Sequence, residues 1–432
     1  MIKENKKLTL TISIAIGLTI LLGIGAFFVI DNSQKNKLVE CTINNETFEV
    51  YSTISLNDFQ IETKGGEILF DNYEFDTSSI GPKTATIFTK NKKGTVHEYE
   101  LHYNVVDTTA PVIENLHDMT FLLNTELDFT KILRLNDNLD KEVKFTIDGT
   151  YDNTTVGTYN LTATVSDSSN NEATLPFTVS FIECPIEKTS KGYIWPDMQL
   201  TTEKGYIIDI IDNIAYIEGM QIINKTFTLP STYNKGLQSE ASAAFELMKS
   251  DAQALGLSLK NSSGFRTYSY QDYLYNYYTD KYGRAYTDTI SARPGSSEHQ
   301  SGYAIDLNTI TGAFAYTDEG KWVVNNCHNY GFIIRYPQDK SNETGYAYEP
   351  WHIRYVGQEL ATILYNGGDW ITVEDYYGIQ SAYLYNMNPP VVNNNDNNTQ
   401  ESTSSESSDE ITDTDESNDT ENNTEQEDPN NV

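Results

Sequence analysis

The segment Ser297-Glu298-His299-Gln300-Ser301-Gly302-Tyr303-Ala304-Ile305-Asp306 sets the character of this chain, together with Glu349-Pro350-Trp351-His352. Between them lie 42 residues. The two stretches supply two imidazoles, one carboxylate that can bind a metal, and one carboxylate left over. Three protein ligands and a spare acid are the inventory of a catalytic zinc site, because a structural site fills its fourth position from the protein. A catalytic site leaves that position to water, and the water needs a base.

His299 and Asp306 are seven apart. On one straight strand they would face opposite sides, and on one helix they would meet after two turns. Gly302 between them predicts a bend: a loop carries His299, and a strand carries Ala304 and Asp306. Pro350 lacks a backbone N–H and biases Glu349 toward an extended conformation. Glu349 and His352 therefore belong on a turn or a strand entry, with Trp351 able to wall a pocket.

Around these motifs the pattern mixes helices and short strands. Ala244, Leu247, Met248 and Leu255 mark an apolar helix face between Leu237 and Leu257, with Gly256 as the stop. A second helix is predicted from Glu319 to Tyr330, ended by Gly331, with His328 on its surface. Strand-like pieces run from Leu257 to Phe265, Tyr303 to Leu307, Phe332 to Tyr336 and Trp351 to Val356. Without a regular βαβ rhythm, this reads as an α+β domain over 186–388.

Upstream lies an internal repeat. Asp76-Thr77-Ser78-Ser79-Ile80-Gly81 and Asp152-Asn153-Thr154-Thr155-Val156-Gly157 place two glycines 76 residues apart. Alternating apolar and polar residues follow each: Thr84 to Phe88 and His97 to Val105, then Tyr159 to Val165 and Ala173 to Phe181. Period-two alternation predicts half-buried strands, and the two units, 31–106 and 107–183, read as small all-β sandwich-like domains.

The 432 residues are enough for several domains. The formal charge of −33 excludes a general nucleic-acid binder. Thirteen acids and no Lys or Arg fall in 393–432, and without that stretch the charge is −20. The polar segment 389–432 cannot bury enough apolar surface to fold and reads as a disordered acidic tail. Cys41, Cys184 and Cys327 show no CxxC spacing, although Cys41 and Cys184 flank the repeats and could pair.

Leu8 to Ile30 carries no charge and no proline over 23 residues. As a helix it would span about 35 Å, enough for a bilayer core of about 30 Å. Lys3, Lys6 and Lys7 precede it. The positive-inside bias puts 1–7 in the cytoplasm, 8–30 across the membrane as a single-pass anchor, and the rest outside at the bacterial surface.

The S-x-H-x-x-G-x-A-x-D pattern of Ser297 to Asp306 and the E-x-x-H of Glu349 to His352 resemble those of VanY-type D-alanyl-D-alanine carboxypeptidases. These form a zinc peptidase group that also includes D-Ala-D-Ala dipeptidases. Further similar stretches come in order: Asn224-Lys225, Leu229-Pro230, Ser263-Gly264-Phe265-Arg266-Thr267, Gln271, Ala292-Arg293-Pro294-Gly295, Gly331 to Pro337 and Tyr348 to Gly357. Tyr303 stands where these enzymes often carry Leu. Residues 107–182 similarly resemble bacterial immunoglobulin-like repeats, and 41–106 do so more loosely.

The resemblance implies His299, Asp306 and His352 as zinc (Zn2+) ligands and Glu349 as general base. It also implies that Arg266 and Ser297 act on the substrate. A carboxypeptidase must hold a terminal carboxylate, which arginine does bidentately, and Arg266 could equally face the developing oxyanion. Gln271 could donate to the substrate or support the fold. The expected activity is removal of the terminal D-Ala from peptidoglycan stem peptides. The alternatives are an L,D-carboxypeptidase acting on tetrapeptide stems and a wall-binding surface protein without catalysis.

Overall fold

The computed structural model describes residues 38–69, 73–189 and 192–384. The anchor and the acidic tail expected from sequence lie outside these residues. Among the described residues no helix is long and apolar enough to cross a membrane.

Two β-rich units come first, and each is organised on a long antiparallel hairpin. In one, Gly81–Asn91 pairs with Val96–Val106, and the short strand Thr47–Glu49 runs parallel beside the latter. In the other, Gly157–Ser166 pairs with Glu172–Ile182, and Met119–Leu122 runs parallel beside it. The sequence repeat therefore corresponds to a structural repeat, with Gly81 and Gly157 each opening the first long strand. The alternation buries every second residue, as at Leu101, Tyr103 and Val105 and at Phe177, Val179 and Phe181. Each unit has its own apolar core, one around Phe59 and one around Phe121. Cys41 and Cys184 are both free thiols, so the pairing considered from sequence is not formed. Cys41 is held in a strand of the first unit opposite Thr63, whereas Cys184 lies beyond the last strand of the second.

The following region opens with a meander of Met198–Thr201, Ile207–Ile211, Ile214–Ile217 and Met220–Ile222. Helix Ser239–Ala254 comes next and buries Ala241, Phe245, Met248 and Ala252. Leu247 and Leu255, assigned to the buried face from sequence, are 59% and 66% exposed. The 3.6-residue period explains the difference: 241, 245, 248 and 252 form one stripe, and 247 lies about 160° from 245 around the helix. The predicted second helix is α-helical over Asp318–Asn326 and tightens to a 3-10 turn over Cys327–Tyr330, with Gly331 closing it in the left-handed region. His328 stacks on Tyr365 with ring centroids 3.8 Å apart rather than standing free on the surface.

Helix Tyr268–Tyr282 has no counterpart in the sequence reading. Its tyrosines fall on every face, which hides the apolar period, but the Thr267 side chain caps it by accepting from the Tyr270 N–H.

At the centre is a four-stranded antiparallel sheet in the order Asn261–Ser263, Ala304–Leu307, His352–Tyr355, Phe332–Ile334. Ile305, Leu307, Phe332 and Ile353 are fully buried in one core with Phe245, Met248 and the meander's Ile210 and Ile217. Each such side chain contributes about 1.5–3 kcal/mol by leaving water. That burial on both sides fixes the register of the strands that carry the site.

Candidate metal centre and its surroundings

The sheet register brings the two motifs together. Asp306 and His352 are directly opposed on neighbouring strands, and Ser263 faces Asp306 from the other side. Opposed side chains on one face stand about 4.5–5.5 Å apart at Cβ. His299 arrives from the 3-10 turn Glu298–Ser301, which ends at Gly302 with φ +78. This is the bend expected from Gly302. A Cβ there would lie 2.0 Å from the Gly236 carbonyl oxygen, so the chain can reverse at this point only with glycine. Glu349 precedes the strand that begins at His352, and the His352 N–H donates to the Glu349 carbonyl in a tight turn of 3.2 Å.

His299, Asp306 and His352 are all buried, and one donor atom from each lies within 4.8 Å of the others. His299 Nε2 is 3.1 Å from Asp306 Oδ2, and His352 Nδ1 is 3.1 Å from Asp306 Oδ1. The tautomer of His299 follows from its other nitrogen. Nδ1 is 2.7 Å from the Gly264 carbonyl, which can only accept, so Nδ1 carries the proton and Nε2 keeps its lone pair for the cluster. His352 presents Nδ1 to the cluster, and its Nε2 lies 3.5 Å from Glu298 Oε2. At that distance the contact is an ion-pair approach rather than a hydrogen bond.

Asp306 Oδ1 is buried and accepts no hydrogen bond, which is costly unless a cation faces it. Two imidazole nitrogens and one carboxylate oxygen, converging on one point, are a donor set that suits zinc. Burial raises the Asp306 carboxyl pKa, but the imidazoles of His299 and His352 outweigh it and hold the group well below the ordinary range. Burial, then the Arg266 charge, pushes His299 down, which keeps it neutral and able to ligate.

Glu349 Oε2 is 3.6 Å from His352 Nδ1, and its side chain is 15% exposed. Burial is the main cause that lifts its pKa from 4.5 to about 7. Arg266 approaches from the end of the Asn261–Ser263 strand, with Nη2 3.5 Å from Asp306 Oδ2. Its Nη1 donates to Gln271 Oε1 at 2.9 Å and its Nη2 to Ser263 Oγ at 3.0 Å, while Nε is buried without a partner. Gln271, named from sequence as a substrate contact, is 1% exposed, and its Nε2 donates to the Ala292 carbonyl at 2.7 Å. Both ends of its amide are engaged within the protein, so here it fixes Arg266. Ser297 is buried at the start of the His299 turn. Tyr303, which stands where similar enzymes often carry Leu, donates to Glu240 at 2.8 Å and stacks on Tyr355.

Sequence reading passed over Glu298, Arg335 and Glu374. Arg335 Nε donates to Glu298 at 2.8 Å, and its other two nitrogens grip Glu374 at 2.8 and 2.7 Å. All three side chains are buried, so a chain of charges runs from Glu374 through Arg335 and Glu298 to His352. Burial raises the Glu298 carboxyl pKa, and Arg335 and Arg354 then pull it well below the ordinary range. The ionised Glu298 faces the ring nitrogen of His352 that points away from the cluster, which orients the imidazole. An acid next to a candidate ligand was the only sequence signal.

The profile of the family described as VanY, D-alanyl-D-alanine carboxypeptidase, matches residues 234–358. The chain is 31% identical over 210 residues to the Bacillus subtilis protein YodJ, a carboxypeptidase by name, covering 41% of this chain and 76% of that one. It is 34% identical over 181 residues to VanXYC of Enterococcus gallinarum, named a bifunctional D-Ala-D-Ala dipeptidase and D-Ala-D-Ala carboxypeptidase, covering 37% and 93% respectively. The crystal structure of the L,D-carboxypeptidase DacB from Streptococcus pneumoniae shares 33% identity over 41% of this chain and 100% of that one, with a TM-score of 0.38. The buried His299–Asp306–His352 cluster falls within the residues the family profile matches, and the chain belongs to the VanY family of D-alanyl-D-alanine carboxypeptidases.

Proposed function

We propose that the chain is a zinc-dependent D,D-carboxypeptidase that removes the terminal D-Ala from peptidoglycan stem peptides. The observation that carries this reading is the convergence of His299, Asp306 and His352 with the Glu349 carboxylate and the Arg266 guanidinium beside them. The name of the matched relative VanXYC, which acts on D-Ala-D-Ala, agrees with it.

His299, Asp306 and His352 would hold the zinc, which when bound supplies a Lewis acid for the scissile carbonyl and lowers the pKa of water. Glu349 accepts the proton of the attacking water and returns it to the leaving amine of D-Ala. Burial lifts its pKa above the ordinary carboxylate value, which strengthens it as a proton acceptor. Arg266, beside the cluster, reaches either the developing oxyanion or the terminal carboxylate. Gln271 and Ser263 fix that guanidinium, and Ser297 shapes the turn behind His299.

The run 8–30 is read as a membrane anchor on its 23 uncharged residues and the three lysines before it. The enzyme would then face the wall, with 31–106 and 107–183 as immunoglobulin-like spacers, a reading supported by their repeated hairpins.

The test is digestion of purified pentapeptide and tetrapeptide muropeptides by the zinc-loaded protein, read by mass spectrometry. Loss of one D-Ala from the pentapeptide is expected. Release only from the tetrapeptide would replace the reading by an L,D-carboxypeptidase, and release from neither would leave a wall-binding protein.

A further inference from the structure

We propose that a calcium ion binds at the connection between the two β-rich units, held by Asp107, Asp137 and Asp167. Each of these acids is the first residue after a strand: Val96–Val106, Leu135–Asn136 and Gly157–Ser166. The three strand ends bring one carboxylate oxygen from each within 4.8 Å of the others. Asp107 is 7% exposed and Asp167 is 8% exposed.

The carboxylates are oriented from behind by backbone amides, and Asp167 Oδ2 also accepts from the Asn171 side chain at 2.7 Å. Asp107 Oδ1 accepts from the Thr109 N–H at 3.3 Å. Asp137 Oδ1 accepts from Leu139 and Asp140 at 2.9 and 2.8 Å, and Asp167 Oδ1 accepts from Asn171 at 2.8 Å. The opposite oxygens of Asp107 and Asp137, both Oδ2, are buried and accept nothing. A buried carboxylate oxygen without a donor is strongly unfavourable, and two of them side by side repel each other as well. Among the described residues no Lys or Arg forms an ion pair with any of the three acids. Glu49 of the first unit adds a fourth negative charge nearby, accepting from Thr108 N–H at 3.0 Å and from Asn138 Nδ2 at 3.4 Å. A cation among these oxygens removes both the repulsion and the two missing hydrogen bonds.

The donor chemistry selects the ion. All donors are oxygen, with no imidazole or thiolate, which favours a hard cation over zinc. Magnesium takes one or two protein carboxylates and keeps its waters, whereas calcium accepts three or more carboxylates in irregular geometry. Asp107 lies on the connector and Asp137 and Asp167 on the second unit, while Glu49 on the first unit grips Thr108 and Thr109. Calcium there stiffens the connection between the units.

The experiment is calorimetric titration of calcium into the full-length protein carrying one equivalent of zinc. One calcium per chain is expected, with a Kd on the order of 10⁻³ M or tighter, and thermal unfolding moves upward as calcium is added. The double variant Asp107→Asn, Asp137→Asn weakens binding at least about tenfold while zinc content and D-Ala release stay the same. If the double variant does not fold, the single variant Asp137→Asn carries the same comparison. Three results overturn the proposal: no calcium uptake by the unaltered protein, uptake undiminished in the variants, or magnesium binding as tightly as calcium.

Discussion

In the catalytic region His299, Asp306 and His352 hang from a turn locked by Gly302 and from two strands in fixed register, with the Gly264 carbonyl behind His299 and the Glu298 carboxylate behind His352. At the connection between the β-rich units Asp107, Asp137 and Asp167 sit at strand ends and are oriented only by amides of their own turns. One cluster mixes nitrogen with oxygen and keeps a separate acid, Glu349, beside it; the other is oxygen throughout, and the acid beside it, Glu49, is engaged by Thr108 and Thr109. The difference separates chemistry from bracing. A reacting site needs ligands held by buried strands and a proton acceptor, whereas a bracing ion needs only enough negative oxygen.

Substitutions probe this contrast directly. Glu349→Ala should retain zinc and lower kcat about 10²–10⁴-fold, whereas His352→Ala should lose both metal and activity. Metal content and D-Ala release are the readouts, and near-normal release by Glu349→Ala would break the assignment of chemistry to this cluster. Arg266→Ala should cost about 10²–10³-fold. A fall in kcat alone places the guanidinium at the oxyanion, and a rise in KM alone places it at the terminal carboxylate.

Glu298→Gln keeps the shape of the side chain but removes the charge facing His352. Zinc affinity should drop about 10–100-fold with the circular dichroism spectrum unchanged. Unaltered affinity would mean that the register of the strands alone orients His352, and the contrast with the amide-backed acids would narrow. The smallest effect concerns pH. Glu349 must be ionised to accept a proton, so kcat/KM should fall with acidity, about tenfold per unit below its pKa. Burial sets that pKa at about 7, and a bound cation lowers it toward its ordinary 4.5. An acid limb between these values is expected in zinc-loaded enzyme, and a rate independent of pH across that interval would remove Glu349 as base.

What could be read in the sequence was local. The bend at Gly302, the turn at Pro350 and the alternating hairpin strands depend on neighbours within a few residues, and they stand in the structure as the residues dictated. The pairing of Asp306 with His352 depends on which strands meet, and that is decided by burial over the whole core. Glu298 and Arg335 are 37 residues apart, and Arg335 and Glu374 are 39 apart, so nothing near any one of them announced the others. The buried face of helix Ser239–Ala254 departs from the sequence expectation because residue type does not place a leucine inside: Phe245 and Ala252 lie in the stripe that meets the core, and Leu247 lies off it.

The Arg335 link to Glu374 also bears on where the enzyme can be cut. The family match ends at residue 358, but Glu374 lies beyond it. Asn224, ahead of the matched segment, donates to Glu374 Oε1 at 3.1 Å. Thr226 is joined to Ala382 by a bond in each direction, at 3.0 and 3.1 Å. A fragment trimmed to 234–358 would keep His299, Asp306 and His352 and still leave Arg335 without its two-pronged partner in a buried place. The smallest independent unit therefore begins before Asn224 and extends past Ala382, with the late segment acting through Arg335 and Glu298 as a clasp on His352, which it never touches.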